Sequence, residues 1–94
     1  MQPKLSISPA QCRGARAMLG WAQAEVAFKA GAENPAPVKR FEDGSLDEAA
    51  GRRWSLVLRR VFEEAGVCFY GRHGVSLGGE AGGPAGTPAR ERGA

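Results

Sequence analysis

The sequence predicts a mainly α-helical domain that is followed by a short C-terminal β-ribbon and a disordered tail. Apolar residues between positions 54 and 65 recur with the period of an α-helix. Segments 67–70 and 75–77 are rich in strand-forming residues and flank a glycine-containing turn, as in a hairpin. Segment 78–94 contains no large apolar residue, so it cannot bury enough surface to offset its chain entropy.

The length of 94 residues allows one hydrophobic core and no second domain. We therefore assign residues 1–77 to a single folded domain and residues 78–94 to the tail. Gly or Pro fills eight of the seventeen tail positions, which agrees with that boundary.

The first helix is predicted to begin at Pro9. Ser8 is a suitable N-cap, proline is favoured in the first turn, and Gln11 completes a capping box. Gly20 interrupts the pattern and marks the end of the helix. The face expected to point inward comprises Cys12, Ala15, Met18 and Leu19.

Two further short helices are predicted, over residues 22–30 and 35–42. Ala22 caps the second helix poorly because it has no side-chain acceptor, and Gly31 ends that helix. For the third helix, Asn34 is the expected N-cap, since Pro35 is tolerated in a first turn. The residues expected to face the core from these helices are Val26, Ala27, Ala30, Val38 and Phe41.

The fourth helix has the strongest amphipathic pattern and is expected to end at Gly66. Segment 67–77 then predicts a small hairpin, or a strand with a return, that leans on the helices or on a second copy. The inward face of the helix is expected to comprise Trp54, Val57, Leu58, Val61, Phe62 and Ala65.

Charge and composition restrict the function classes. The net charge of +3 is compatible with nucleic-acid binding without demanding it. The cysteines, Cys12 and Cys68, form no metal-binding or redox motif, and no cofactor or metal site is indicated. His73 lies in the predicted turn without any supporting catalytic motif, so we expect no enzyme activity.

The absence of an apolar spanning segment or an apolar leader favours a cytoplasmic protein that does not bind membranes.

Seven short segments follow one another in a recognisable order: 7–13 (ISPAQCR), 15–21 (ARAMLGW), Gln23, 25–27 (EVA), 30–31 (AG), 38–42 (VKRFE) and 58–69 (LRRVFEEAGVCF). In this order they resemble small bacterial Cro/CI-type helix-turn-helix regulators of the xenobiotic-response-element class. The similarity covers roughly residues 7–77, which is more specific than one short motif.

The resemblance implies a lambda-repressor-like helical bundle that binds double-stranded operator DNA, usually as a homodimer. The third helix, residues 35–42, would enter the major groove. Gln23 would begin the first helix of the motif and hold a phosphate. The exposed side of the recognition helix would present Asn34, Pro35, Ala36 and Lys39, with Arg40 near the DNA backbone.

An alternative remains open because the predicted recognition helix offers few groups that read bases directly. Pro35 and Ala36 can make only apolar contacts, for instance with a thymine methyl group. The chain could instead be a degenerate helix-turn-helix module, similar to an antitoxin, that binds a protein partner without specific DNA recognition. For the DNA-binding protein, edge-to-edge pairing of the ribbon over residues 67–77 would provide the dimer contact and set two half-sites about 34 Å apart.

Overall fold

The computed structural model describes residues 6–77, which form four α-helices and one two-stranded antiparallel sheet. The predicted mainly helical class with a C-terminal ribbon is confirmed. Residues 1–5 and the predicted tail, 78–94, lie outside the described residues. The elements are α1 (Pro9–Leu19), α2 (Gln23–Lys29), α3 (Ala36–Asp43), α4 (Glu48–Glu64), β1 (Val67–Tyr70) and β2 (Gly74–Leu77).

Local capping sets both ends of α1, as predicted, whereas α2 is one residue shorter at each end than the predicted range 22–30. The Ser8 hydroxyl accepts from the Gln11 backbone N–H at 3.1 Å, and the Gln11 carboxamide oxygen accepts from the Ser8 N–H at 2.9 Å. Gly20 ends α1 in the left-handed conformation, with φ of 70°. Ala22 provides no side-chain cap for α2.

The third helix begins one residue later than predicted. Pro35 is the N-cap rather than the first helical residue, because the first backbone bond of the helix runs from the Lys39 N–H to the Pro35 carbonyl, at 3.0 Å. Asn34 still provides the side-chain bond, since its Oδ1 accepts from the Ala36 N–H at 2.9 Å. The helix runs to Asp43, one residue beyond the predicted end, and Gly44 follows as the C-cap in the left-handed conformation, with φ of 79°.

The core is built from all four helices and β1. The Phe62 ring lies at its centre, 6.1 Å from the Trp21 ring and 6.2 Å from the Phe69 ring between centroids. The prediction for Met18 was wrong, since this side chain is 40% exposed. It lies at the edge of the inward face of α1. The buried apolar residues are Ile7, Cys12, Ala15, Val26, Ala27, Val38, Phe41, Leu58, Phe62 and Val67.

The inward face of α4 is narrower than predicted. Leu58 and Phe62 are buried, whereas Trp54, Val57 and Val61 are only half-buried. Ser55 is also buried on this helix. Its hydroxyl donates to the Ile7 carbonyl at 2.7 Å and accepts from the Ile7 N–H. This pair of bonds fixes the segment before α1 against α4.

The ribbon is a hairpin that packs on the helices. Its register pairs Val67 with Leu77 and Phe69 with Val75. The Gln11 side-chain nitrogen donates to the Tyr70, Gly71 and Gly74 carbonyls at 3.0–3.2 Å, so α1 holds the turn of the hairpin. No helix within residues 6–77 combines the length and apolar character needed to cross a bilayer.

Candidate nucleic-acid interface

A single exposed stripe runs along α3. Helical spacing places Ala36, Lys39, Arg40 and Asp43 on one side, because residues three and four apart are neighbours on a helix. Lys39, Arg40 and Asp43 are exposed and Ala36 is half-buried. Val38, Phe41 and Glu42 are buried on the other side. We call the four residues of the exposed side the α3 stripe.

The two cations of the α3 stripe are available for an external anion. Neither Lys39 nor Arg40 forms an ion pair within residues 6–77. The neighbouring Asp43 carboxylate bonds to the Ser45 hydroxyl at 2.6 Å and to the Ser45 N–H at 2.9 Å. These bonds, from the hydroxyl above all, lower the pKa of Asp43, with smaller contributions from the two cations. The stripe is therefore cationic in its middle and acidic only at its last residue.

The turn between α2 and α3 has a defined conformation. Gly31 adopts φ of 91°, a conformation in which glycine is favoured. The Ala32 N–H bonds to the Ala27 carbonyl at 2.9 Å and the Gly31 N–H to the Phe28 carbonyl at 3.0 Å. These bonds satisfy carbonyls at the end of α2, and the chain then turns into α3.

A polar cluster beneath the stripe joins three helices through the Glu42 carboxylate. Arg16 on α1 binds both carboxylate oxygens, Nε to Oε2 at 2.6 Å and Nη2 to Oε1 at 2.9 Å. Gln23 on α2 donates to Oε1 at 3.0 Å, and the Cys12 thiol donates to Oε2 at 3.1 Å. The Arg13 guanidinium also binds the Glu42 backbone carbonyl at 2.7 Å. We call these five residues the Glu42 cluster.

Burial and hydrogen bonding oppose each other in the cluster. Burial raises the pKa of Glu42, but the bonds from Arg16, Cys12 and Gln23 outweigh it, so the net pKa is lowered. The bond to Glu42 raises the pKa of Arg16, which keeps that guanidinium charged. Burial, followed by the bond to Glu42, raises the pKa of the Cys12 thiol far above its usual range. The cluster thus contains an ionised Arg–Glu pair and a neutral, unreactive thiol.

Gln23 has a structural bond that the sequence did not reveal. Its side-chain amide was predicted to hold a DNA phosphate, and in the structure one of its protons is directed to Glu42. A carboxamide nitrogen carries two protons, so the second can still donate to a phosphate. Gln23 is half-buried beside α3. The predicted phosphate contact therefore stays a prediction, with only one donor left to make it.

The other predicted site residues lie where α3 begins and along its exposed side. Asn34 and Pro35 are exposed, and Ala36, Lys39 and Arg40 follow them on consecutive turns of the helix. The structure thus brings five of the six predicted residues onto one surface. Gln23 lies beside this surface, at the Glu42 end of α3.

Phe28 is an exposed aromatic residue that the sequence patterns did not single out. It lies on α2 and its side chain is 80% exposed. The one sequence feature that indicates this exposure is its position directly after Val26 and Ala27, the two residues that α2 buries.

The side chains that could ligate a metal ion do not converge on one site in the described part of the chain. Within residues 6–77, His, Cys, Asp and Glu side chains form no group of three placed to hold a metal ion.

No family model, no curated protein and no solved structure matches this chain.

Proposed function

We propose that this protein is a DNA-binding regulator of transcription that places α3 in the major groove of operator DNA. The observation that carries the proposal is the α3 stripe, whose cations Lys39 and Arg40 are exposed and form no ion pair within residues 6–77. Cations on such a helix neutralise phosphates and release condensed counterions. The proposal includes a lambda-repressor-like arrangement of the helices, in which six residues, 30–35, connect α2 to α3.

The Glu42 cluster supports the proposal because it fixes α3 relative to its neighbours. Recognition of DNA requires a helix that keeps its position and register against the duplex. Glu42 lies on the buried side of α3 and bonds to α1 through Arg16 and to α2 through Gln23. The α3 stripe is thereby presented on a rigid support.

The contacts divide by role. Lys39, Arg40 and the remaining donor of Gln23 bind phosphates and set orientation and affinity. Asn34 and Pro35 directly precede α3, Ala36 is its first residue, and all three approach the base edges. Because phosphate contacts carry no sequence information, specificity falls to these last three residues.

We further propose that the operator is bound by a homodimer. Tyr70 and Leu77 on the ribbon are 59% and 52% exposed, more than most apolar residues of the described part. An isolated two-stranded sheet has open edges, to which a second ribbon can add. A dimer of this kind would bind two half-sites about 34 Å apart.

Binding to DNA can be measured directly by fluorescence anisotropy. The probes are a duplex from upstream of the protein's own gene and a shuffled duplex of the same composition, each at two salt concentrations. We expect tighter binding to the native duplex, weaker binding at higher salt, and roughly a tenfold loss for Lys39→Ala or Arg40→Ala.

Arg60→Ala is the matched control for these substitutions. Arg60 is also an exposed helical cation, but it lies on α4. Its removal should leave the affinity within about twofold of the wild type. Equal, weak binding of both duplexes that none of the three substitutions changes would contradict the proposal.

A second candidate function is a protein-interaction module similar to an antitoxin. Phe28 favours it, because exposed aromatic side chains are enriched at protein interfaces and do not contribute to this domain's own core. The test is co-purification with the product of a neighbouring gene. A complex that Phe28→Ser abolishes and Lys39→Ala leaves intact would support this function. A complex unaffected by Phe28→Ser, or none, would contradict it.

A further inference from the structure

The surface at the start of α3 combines two apolar groups, the Pro35 ring and the Ala36 methyl, with one free donor group, the Asn34 Nδ2 amide. Pro35 is exposed and has no N–H group, and Ala36 follows it, half-buried, with its N–H bound to Asn34 Oδ1 at 2.9 Å. That bond uses one of the two lone pairs of Asn34 Oδ1 and fixes the orientation of the carboxamide. The Nδ2 group has no partner within residues 6–77 and carries two protons. We call Asn34, Pro35 and Ala36 the proline face.

The apolar groups of Pro35 and Ala36 determine which base edge the proline face matches best. Recognition of adenine by asparagine requires the carboxamide oxygen and nitrogen to be aligned together with the base, whereas the Asn34 carboxamide is oriented by its bond to the Ala36 N–H. Neither adenine nor cytosine presents an apolar group in the major groove that Pro35 and Ala36 could cover. Guanine presents two acceptors and no apolar group, and it is best matched by a bidentate cation.

Thymine is the base whose major-groove edge matches all three side chains. It presents an acceptor, O4, beside an apolar group, the C5 methyl. Asn34 Nδ2 can donate to O4, while the Pro35 ring and the Ala36 methyl can cover the C5 methyl. Lys39 and Arg40 lie a turn further along α3 and bind phosphates, so they do not add to this preference.

We propose that the proline face selects thymine in the operator and recognises it chiefly through its C5 methyl group. This inference depends on the proposed function, since it requires α3 to lie in the major groove. It also predicts that 5-methylcytosine is bound better than cytosine, because the two differ only by the same methyl group.

The experiment begins with a duplex that the full-length protein itself selects from a random library. At each T·A pair of the selected half-site, the thymine is replaced by uracil, 5-methylcytosine or cytosine, with the matching partner base. Uracil differs from thymine only in the methyl group and keeps O4. The anisotropy measurements therefore isolate the contribution of the methyl group to affinity in two comparisons. Thymine against uracil measures it in a base paired with adenine, and 5-methylcytosine against cytosine measures it in a base paired with guanine.

At one position, we expect thymine to be bound about fourfold more tightly than uracil, the value of one buried methyl group. 5-Methylcytosine should exceed cytosine by a similar factor. Asn34→Asp keeps an acceptor for the Ala36 N–H but replaces the Nδ2 donor by an oxygen. The Asn34→Asp variant should retain the ratio of the affinities for the thymine and uracil duplexes. Its affinity for the cytosine duplex should rise relative to that for the uracil duplex, because the new oxygen accepts from the cytosine amino group. Circular dichroism would show that the variant remains helical.

Lys39→Ala is the control, because it should weaken binding to all four duplexes by the same factor. Equal affinity for thymine and uracil at every position of a selected site would overturn the inference and leave the proposed function standing. Failure to enrich any duplex, with no salt-dependent binding, would overturn both.

Discussion

Glu42 shows how one side chain can organise the relative positions of three helices. Its side chain is 5% exposed and that of Arg16 is 21% exposed, so the ion pair between them is largely removed from water. Such a pair contributes little net stability compared with apolar residues, but breaking it leaves a buried charge alone. The value of the pair here lies in orientation, since its geometry fixes α3 against α1, while the Gln23 bond to the same carboxylate connects α3 to α2.

We expect Glu42→Gln to lower the free energy of unfolding by about 3 kcal/mol at neutral pH, because Arg16 loses its counter-charge. Denaturant titration at several pH values would measure this. The folded-state pKa of Glu42 is lowered, so its stabilisation is present above the ordinary glutamate pKa of about 4.3 and is lost as the pH falls through the lower folded-state value. The difference between wild type and variant should therefore shrink under acid conditions.

Glu64→Gln is the control for this measurement, because Glu64 is an exposed carboxylate at the end of α4. It should change stability by less than about 0.5 kcal/mol at every pH tested. A Glu42→Gln difference that stays constant down to pH 2 would show that the ionisation of Glu42 does not stabilise the fold.

Several residue roles could not be predicted from the sequence. Arg16, Gln23 and Glu42 are far apart along the chain, and no local pattern links them before the helices pack. Gln11 illustrates the same limit. Its capping bond to Ser8 is local and was predictable, whereas its bonds to the hairpin turn join positions about 60 residues apart.

At the scale of elements, local chemistry predicted both ends of α1 and placed the ends of α2 and α3 within one residue. Ser8 and Gln11 specify the start of α1, and Gly44 specifies the end of α3, through bonds within a few residues. The start of α3 was displaced by one residue because two prolines near it leave several placements equally compatible with a first turn. Which residues on an amphipathic helix become fully buried depends on its neighbours, so Trp54 was predicted less well than Phe62.

The two glycines inside helices provide a matched pair for testing how the ribbon packs on α1. A Cβ at Gly51 in α4 would meet nothing within 4 Å, whereas a Cβ at Gly14 in α1 would lie 3.0 Å from Val75 Cγ2 on β2. Both alanine substitutions gain about 1 kcal/mol of helix propensity. We expect Gly51→Ala to raise the free energy of unfolding by about that amount, and Gly14→Ala to gain less or to destabilise.

Thermal or chemical unfolding of both variants measures this difference, and it needs no ligand. Equal stabilisation by the two substitutions would mean that β2 does not press closely on α1. The packing of the hairpin on the helices would then be looser than the structure indicates.

At the scale of the whole molecule, the domain separates a rigid, cationic helix surface from an exposed ribbon. α3 is supported from beneath by the Glu42 cluster, and the ribbon is held against α1 by Gln11. Both connections pass through α1. A protomer built in this way can hold the proposed DNA-binding helix and the proposed pairing surface in a fixed relation, which a dimer would need to match half-site spacing.

The proposed dimer predicts that two protomers occupy one operator and that a charge on the ribbon prevents this. Leu77 is 52% exposed on β2, and Leu56 is 42% exposed on α4. Leu77→Arg should weaken self-association at least about tenfold, because a charge would be buried in the paired ribbons. Leu56→Arg adds the same charge at a similarly exposed leucine and should leave association unchanged. Sedimentation with and without a two-half-site duplex measures both variants. A wild-type protein that stays monomeric and binds DNA one to one would exclude the ribbon dimer, while the role of the α3 stripe would still be tested separately by Lys39→Ala.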